Sequence, residues 1–340
     1  MKAVVLSDIR RPELISLSEP RIEPHEVMLQ VDYCGICGSD LHAATFDLFQ
    51  VGVTMGHEFS GRIVEIGRDV TGWSVGDRVC VNPNGSYCGH CASCRKGLFN
   101  LCPVALQRSV GVTAPGGLAE FAAVDERTLH RLPDSVTPLQ GAWIEPASVA
   151  LRAVKRSGIQ VGDSAVVFGA GPIGLLVLLM LRLAGVGRVT VVEPNEARRD
   201  MARSSGADAV VDPRAAGPEL ELPEGDGRPG FAFDCVGSKA VMEAAVHVLP
   251  AHGTLTVVGV AQHPIGFSPT ELLFKEIQIK GSFIYNDEFR QTINLMATGK
   301  LDVSSLTSGV RPLAEAVEAI DEMRSGGAII KYLISTTEAV

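Results

Sequence analysis

Residues 164–183 read SAVVFGAGPIGLLVLLMLRL, and this stretch decides the fold of the chain. A buried-strand pattern comes first, an apolar helix pattern comes last, and three glycines in the spacing G-x-G-x-x-G lie between them, namely Gly169, Gly171 and Gly174. The first glycine permits a tight turn, the second lets a ligand approach the backbone, and the third lets helix and strand pack closely. Pro172 and Ile173 open the helix, where the missing N–H of proline costs nothing. The pattern predicts a turn that binds the pyrophosphate of a dinucleotide.

The sequence around this stretch alternates between strand and helix patterns. Further strand patterns occupy residues 188–193, 207–211, 231–237, 254–260 and 278–283, and helix patterns occupy residues 195–206 and 239–249. Strands that alternate with helices build a parallel sheet. The intervening segment 212–230 has four prolines and no apolar period, so we predict a loop there. We therefore predict an α/β fold with a doubly wound parallel sheet over residues 148–283.

The flanking parts of the chain have a different pattern. Residues 1–147 contain short apolar runs broken by Gly, Pro and Asp, which are typical of an irregular, strand-rich domain. Two amphipathic helix patterns and a strand pattern follow residue 283. Since a parallel sheet complete at residue 283 leaves those helices without an apolar partner, we expect them to pack on the first domain. The predicted domains are residues 1–147 with 284–340, and residues 148–283.

Composition excludes several function classes. The chain has 340 residues, with 30 basic against 39 acidic side chains and a formal net charge of −9, which opposes binding to nucleic acid or to an anionic membrane surface. We find no apolar run of the roughly 18 residues that a spanning helix needs. The start of the chain does not read as a secretory signal, so we expect a cytoplasmic protein. In that reducing compartment, eight cysteines indicate metal ligands or buried thiols.

Half of the cysteines lie within fifteen residues, at Cys88, Cys91, Cys94 and Cys102. Four thiolates at this spacing predict a closed, tetrahedral structural zinc site. His90 lies between two of them, and we expect it to be a solvated loop residue. Zinc-ribbon domains that bind nucleic acid normally have two separated Cys-x-x-Cys pairs, whereas these cysteines form one cluster.

A second group of candidate ligands is spread along the chain, in CGICGSDLH (34–42), GHEFSG (56–61) and EPAS (145–148). A catalytic zinc needs about three protein ligands and one open position. Cys37, His57 and a carboxylate from Glu58 or Glu145 would supply them. Neighbouring side chains on an extended strand point to opposite faces, so His57 and Glu58 can share an ion only where the backbone bends. Three anionic ligands would blunt the Lewis acidity of zinc, so we expect one glutamate to bind through water or to exchange.

The order of these motifs resembles one family. CGICGSDLH, MGHEFSGRIVEIG, the four cysteines, WIEPASVALRAV and VVFGAGPIGLL occur in this order in the zinc-dependent medium-chain alcohol and polyol dehydrogenases, and the resemblance covers nearly the whole chain. It implies a GroES-like catalytic domain and a Rossmann domain, with a catalytic zinc on Cys37 and His57. Glu145 stands where the sorbitol, butanediol and threonine dehydrogenase branch has a glutamate. In this family, the residue that matches Glu58 sometimes binds the zinc directly and sometimes lies just outside the shell of zinc ligands.

The resemblance also implies roles for residues near the ligands. Asp40 matches an aspartate that supports the zinc-binding histidine, and Ser39 and His42 match a relay that passes the substrate proton to solvent. In the nucleotide domain, the matching residues place Arg198 over adenine and line the nicotinamide side with Val236 and Val258.

Glu193 ends the strand after the glycine turn, 19 residues beyond Gly174. An acidic residue there binds the ribose hydroxyls of NAD and repels a 2′-phosphate. Pro194 and Asn195 follow it directly, with no arginine to receive that phosphate, so we favour NAD over NADP.

Together these patterns predict an oxidoreductase that moves a hydride between NAD and a small-molecule alcohol, diol or polyol, or the matching ketone. We expect two Zn²⁺ per chain, and a homodimer or homotetramer because the strand at 278–283 would otherwise be an exposed sheet edge. Residues 43–55 are predicted to line the edge of the substrate pocket, with Phe46 and Phe49 as its apolar walls. Two alternatives stay open: a zinc-free quinone or enone reductase of the same fold, and a non-enzymatic scaffold that binds zinc and nucleotide.

Overall fold

The computed structural model describes residues 1–43, 48–216, 220, 222, 228–261, 264–265 and 269–337. The chain forms two compact units, which we call the first unit (Met1–Glu145 with Phe289–Val340) and the second unit (Pro146–Glu288). Among the described residues, no helix has both the length and the apolar character needed to cross a membrane.

The strands are, in chain order, β1 Lys2–Leu6, β2 Pro12–Ser16, β3 Glu26–Gly35, β4 Glu58–Ile66, β5 Arg78–Val81, β6 Phe121–Asp125, β7 Leu129–Arg131, β8 Ser164–Phe168, β9 Arg188–Val192, β10 Ala209–Val211, β11 Phe231–Asp234, β12 Thr254–Val257, β13 Gln278–Gly281, β14 Thr307–Pro312 and β15 Lys331–Ser335. The helices are α1 Gly38–Leu41, α2 Ala92–Arg95, α3 Pro103–Gln107, α4 Pro138–Gly141, α5 Ile144–Ser157, α6 Pro172–Leu183, α7 Glu196–Ser204, α8 Lys239–Val248, α9 Pro269–Lys275, α10 Glu288–Ala297 and α11 Ala316–Arg324.

The first unit is built on a mixed sheet. Within the described residues its strand order is β14-β15-β3-β4-β5-β7, with β6 also paired to β3, and β1 and β2 form a separate antiparallel pair. The last strand, β15, pairs antiparallel with β3, so that Leu333 lies opposite Gly35. The apolar face of α11 is buried in the core of this unit, through residues spaced at helical intervals, namely Ala316, Ala319, Ile320 and Met323. The end of the chain therefore contributes a strand and a helix to the unit that its beginning forms.

The second unit is a parallel sheet with the strand order β10-β9-β8-β11-β12-β13 among its described residues. The strands of its centre are buried almost throughout, as expected where helices cover both faces. Helix α6 follows β8 and buries an apolar run between Gly174 and Leu181. The strand order reverses at β8, and open sheets of this type bind ligands at that reversal. This topology, together with the strand-rich first unit, confirms the predicted α/β fold class.

Candidate functional site

The four cysteines predicted to bind a structural zinc lie together in the first unit. Their sulfur atoms are all within 4.8 Å of one another, with 3.9 Å between Cys88 and Cys94 and 3.7 Å between Cys88 and Cys102. Cys91 and Cys102 are the N-cap residues of the short helices α2 and α3, which lets one compact loop present all four side chains. His90 is exposed and its Nδ1 lies 2.8 Å from the Cys88 carbonyl oxygen. The arrangement has the ligand type, number and spacing of a closed zinc site.

Backbone N–H groups in this loop favour the thiolate forms that bind metal. Amides donate to the sulfurs of Cys88, Cys91 and Cys102, each at 3.4 Å. Burial raises the pKa of the Cys102 thiol, but hydrogen bonds from the amides of Cys88 and Ala105 lower it by more. The net effect is a pKa of about 6. A thiol with such a pKa is ready to bind a cation at neutral pH.

A second group of ligands converges at the ends of two neighbouring strands of the first unit. Cys37 follows β3, His57 directly precedes β4, and Glu58 is the first residue of β4. Their ligand atoms all lie within 4.8 Å of one another. Gly56 adopts φ +92°, and a Cβ at this position would come within 2.6 Å of the Leu118 amide nitrogen. Gly56 therefore takes a left-handed backbone conformation, in a space too small for a side chain, directly before the two adjacent candidate ligands.

The surroundings of His57 fit a bound cation. Asp40 Oδ1 lies 3.8 Å from His57 Nδ1, and both buried atoms have no hydrogen-bond partner among the described residues. Asp40 Oδ2 accepts a hydrogen bond of 2.8 Å from the Cys37 amide, which fixes the carboxylate next to the ligands. Burial lowers the pKa of His57, but the negative charges of Cys37, Asp40 and Glu145 raise it well above its usual value. The site thus concentrates negative charge that a divalent cation would neutralise.

Glu58 makes a buried ion pair that the sequence did not reveal. Its Oε2 accepts a hydrogen bond from Lys331 Nζ, which also donates to the Ile36 carbonyl oxygen at 2.9 Å and lies 5.4 Å from the ring centre of Trp143. Glu58 and Lys331 are each only 1% exposed. Burial lowers the pKa of Lys331, but Glu58 and Cys37 raise it more, so the ammonium stays charged. Lys331 therefore neutralises one of the carboxylates next to the metal ligands.

Glu145, the other candidate carboxylate, lies in the first turn of α5 and is 7% exposed. It is outside the set of atoms that lie within 4.8 Å of one another, yet its charge contributes to the raised pKa of both His57 and Lys331. The structure therefore places the Glu58 carboxylate beside Cys37 and His57. Glu145 lies further away and acts on the same site through its charge.

Replacing Lys331 by methionine is expected to lower the free energy of unfolding by about 3–5 kcal/mol, because removal of one partner leaves the other charge buried without compensation. Chemical denaturation of the zinc-loaded protein measures this change. Lys239→Met is the control, since Lys239 is largely exposed and pairs with Glu243 on the surface, where a cost below about 1 kcal/mol is expected. Equal costs for the two variants would show that Lys331 does not stabilise Glu58.

The glycine turn of the second unit has the geometry of a dinucleotide site. Gly169 adopts φ +93°, Gly171 is the N-cap of α6, and a Cβ on Gly174 would collide with the Gly169 carbonyl oxygen. Glu193, directly after β9, is buried and accepts hydrogen bonds of 2.8 Å from the amides of Ala170 and Asn195, one to each carboxylate oxygen. Each oxygen keeps capacity to accept from a ribose hydroxyl.

The remaining predicted residues have these positions. Arg198 Nη1 is 4.0 Å from where a Cβ of Gly171 would be, so its guanidinium faces the glycine turn. Val236 lies against Gly169, and Val258 follows β12. In the first unit, Ser39 lies in α1 and His42 is exposed at the C-terminal end of that helix. Phe49 is buried with its ring centre 6.4 Å from that of His57, and Phe46 lies outside the described residues.

A cysteine sulfur, an imidazole and a carboxylate whose ligand atoms lie within 4.8 Å of one another, next to a buried second carboxylate, form a candidate metal site of the type that supports Lewis-acid chemistry. A parallel sheet with a G-x-G-x-x-G turn and an acidic residue after the next strand defines a dinucleotide site. A fold that carries these two sites is typical of dehydrogenases that depend on a metal ion and a nucleotide.

Comparison with known proteins identifies the family. Residues 23–134 match the alcohol dehydrogenase GroES-like domain, and residues 172–298 match the zinc-binding dehydrogenase domain. The chain is 35% identical to D-xylulose reductase A of Aspergillus niger, over 98% of this chain and 96% of that protein. It is 34% identical to (R,R)-butanediol dehydrogenase of Bacillus subtilis, over 97% and 96% of the two chains. A zinc-binding dehydrogenase structure from Sinorhizobium meliloti, bound to NADP, superimposes with a TM-score of 0.90 at 31% identity, covering 98% and 99% of the chains.

The chain belongs to the zinc-binding alcohol dehydrogenase family. It is an enzyme of the polyol and diol dehydrogenase type that uses a nicotinamide dinucleotide and a small-molecule substrate, which confirms the predicted function. The comparisons do not favour the zinc-free reductase or the non-enzymatic scaffold.

Sequence reasoning missed Lys331, which it treated only as part of a closing strand. A signal was present, because this lysine interrupts the apolar run AIIKYLIS, and a charge within a buried strand needs a partner. It also missed the ion pairs of Asp212 with Arg199 and Arg214. The segment 212–230 was predicted only as a loop, and residues 217–219, 221 and 223–227 of it lie outside the described residues.

Proposed function

We propose that this enzyme transfers a hydride between a secondary alcohol, diol or polyol and NAD, with one catalytic and one structural zinc per chain. The observation that carries the proposal is the convergence of Cys37, His57 and Glu58, whose ligand atoms come from separate segments yet lie within 4.8 Å of one another. Sulfur, nitrogen and carboxylate oxygen are the donors that zinc prefers. The cysteine cluster at residues 88–102 would hold the structural ion.

The catalytic zinc would be held by Cys37, His57 and one glutamate. When bound, it acts as a Lewis acid on the oxygen of the alcohol or ketone. The ion pair with Lys331 supports a role for Glu58 as the carboxylate that binds through water or exchanges, because the ammonium competes for the same oxygen. Asp40 would orient His57 through its ring nitrogen, as carboxylates commonly do for metal-binding histidines.

In the oxidation, the carbinol carbon loses a hydride to C4 of the nicotinamide, and the hydroxyl proton leaves for solvent, so that alcohol and NAD⁺ give ketone, NADH and H⁺. We assign the proton path to Ser39 and His42. The partly buried Ser39 hydroxyl lies one residue from Asp40, and His42 is exposed, where an imidazole can release a proton to water.

The preference for NAD over NADP is proposed from Glu193. Its buried carboxylate is held by two amides at the end of β9, the position from which acidic residues bind the ribose hydroxyls. Ionised there, it would repel the phosphate of NADP. Arg198 would contact the adenosine part of the coenzyme, and Val236 and Val258 would line its nicotinamide.

The wider organisation of the protein is also a proposal. We place the domain boundaries at 147/148 and 283/284. The edge strand β13 leaves Ile279 and the nearby Phe283 partly exposed, which supports a homodimer or homotetramer that covers this edge. All eight cysteines are free thiols, which supports work in the reducing cytoplasm.

A substrate screen tests the proposed function. We expect NAD⁺-dependent NADH formation with (R,R)-butanediol or polyols, or NADH-dependent reduction of D-xylulose, and loss of at least about 99% of the rate when a chelator removes the catalytic zinc. Return of Zn²⁺ should restore the rate. Turnover that persists after metal analysis shows a zinc-free protein would contradict the proposal, as would a lack of turnover on every alcohol and ketone by the fully zinc-loaded enzyme.

A further inference from the structure

Two arginines lie beside the end of β9 that carries Glu193. Arg199 Nη1 donates to the carbonyl oxygens of Glu193 at 2.9 Å and of Pro194 at 2.8 Å. Arg214 Nη2 also donates to the Pro194 carbonyl oxygen. Both guanidiniums therefore contact the backbone next to the carboxylate that faces the coenzyme ribose in the proposed function. Neither arginine directly follows Glu193 in sequence, and Arg214 comes from the loop after β10.

A single carboxylate, that of Asp212, holds both arginines. Its Oδ1 accepts from Arg214 Nε at 2.9 Å, and its Oδ2 accepts from Arg214 Nη2 at 2.7 Å and lies 3.1 Å from Arg199 Nη1. Its Oδ1 also accepts from the backbone amide of Arg214 at 3.0 Å. The hydrogen bonds from Arg214 hold the pKa of Asp212 well below its usual value. Asp212 is therefore ionised at neutral pH.

The charges of this cluster cancel. Glu193 and Asp212 supply two negative charges, and Arg199 and Arg214 supply two positive charges. A 2′-phosphate carries about −1.5 to −2 at neutral pH and is bound best by guanidiniums that present two N–H groups to it. The Arg214 side chain is 68% exposed, so a ligand in solvent can reach its guanidinium. What the cluster lacks for a 2′-phosphate is an uncompensated positive charge.

We propose that Asp212 determines coenzyme specificity, by occupying Arg199 and Arg214 so that a latent site for a 2′-phosphate is masked. The inference rests on the proposed preference for NAD and assigns that preference to two acids in place of one. Glu193 repels the phosphate directly, and Asp212 withholds the cations that would attract it. The chain thus contains the parts of an NADP site in a neutralised form.

The substitution Asp212→Asn tests this inference, because asparagine keeps an oxygen for the Arg214 amide, removes the negative charge and replaces the other oxygen by an NH2 group that cannot accept from an arginine. Calorimetric titration of the zinc-loaded enzyme with 2′-AMP, NADPH and NADH measures the three affinities. We expect Asp212→Asn to bind 2′-AMP and NADPH about tenfold more tightly than the wild type and NADH within about twofold. In Glu193→Ser with Asp212→Asn, the preference should reverse in favour of NADPH.

Asp208→Asn is the matched control. Asp208 also pairs with an arginine, Arg182, and accepts a hydrogen bond from the Val189 amide, but at the beginning of β9. This variant should leave all three affinities unchanged. Adding Arg214→Ala to Asp212→Asn should return 2′-AMP binding to the wild-type level.

The outcomes separate the inference from the proposed function. If the wild type binds NADH more tightly than NADPH but Asp212→Asn binds 2′-AMP no better than Asp208→Asn, the inference is overturned and the preference for NAD stands. If the wild type binds NADPH as tightly as NADH, the preference for NAD fails and the inference fails with it.

Discussion

Replacement of Cys37 by alanine is expected to lower kcat/KM for alcohol oxidation by about 1000-fold or more. In the proposed function the Cys37 sulfur is one of about three protein ligands to a catalytic zinc, and such an ion contributes several kcal/mol of transition-state stabilisation. Loss of a residue that only supports a metal ligand already costs about 10–100-fold in affinity or activity. Steady-state kinetics with a good alcohol substrate measures the effect, and metal analysis should fall from two zinc ions per chain to one.

Cys80→Ala is the control for this experiment. Cys80 is a buried thiol on β5 of the same unit and is part of neither ligand cluster, so this variant should keep both ions and most of the activity. NADH binding to Cys37→Ala should match the wild type, because the nucleotide residues are in the second unit. A Cys37→Ala enzyme that keeps two zinc ions and activity within tenfold of the wild type would refute the assigned catalytic site.

Cys102→Ser is expected to remove the other zinc and to lower the thermal midpoint by about 10 °C or more. Structural zinc sites contribute about 10–16 kcal/mol to folding in isolated peptides, and a loss of even 5 kcal/mol shifts the midpoint of a unit this size by about 10–20 °C. The loop around residues 88–102 has a small apolar cluster of its own that includes the four cysteines, so loss of the metal acts directly on this cluster. Calorimetry and metal analysis of the purified variant test this expectation.

His90→Ala is the matched control. His90 lies in the same loop and is exposed, and its Nδ1 lies 2.8 Å from the backbone carbonyl oxygen of Cys88. It should keep both zinc ions and a midpoint within about 2 °C of the wild type. If Cys102→Ser keeps two zinc ions per chain and melts with the control, the cysteine cluster is not a zinc site.

Local patterns made much of this protein predictable. The G-x-G-x-x-G turn and the cysteine spacing are encoded within twenty residues, and the alternation of strands and helices follows from periodicity. Helix α5 and strand β14 were not predicted. For α5 the signals were present, because Lys155 and Arg156 lie in its last turn and Gly158 follows it. Glu193 could be assigned because it lies at a fixed distance along the chain from the glycine turn.

The sequence by itself determined the fold class, the clustering of the four cysteines and the glycine turn, because each depends on neighbours along the chain. Only the tertiary structure decided which charges meet. Strand β3 pairs antiparallel with both β15 and β4, with Gly35 opposite Leu333 on one side and Glu58 on the other, and this brings Lys331 to Glu58, 273 positions away. The parallel pairing of β10 with β9 likewise brings Asp212 to Arg199. Such contacts depend on strand order and register, which a pattern of hydrophobic residues constrains only loosely.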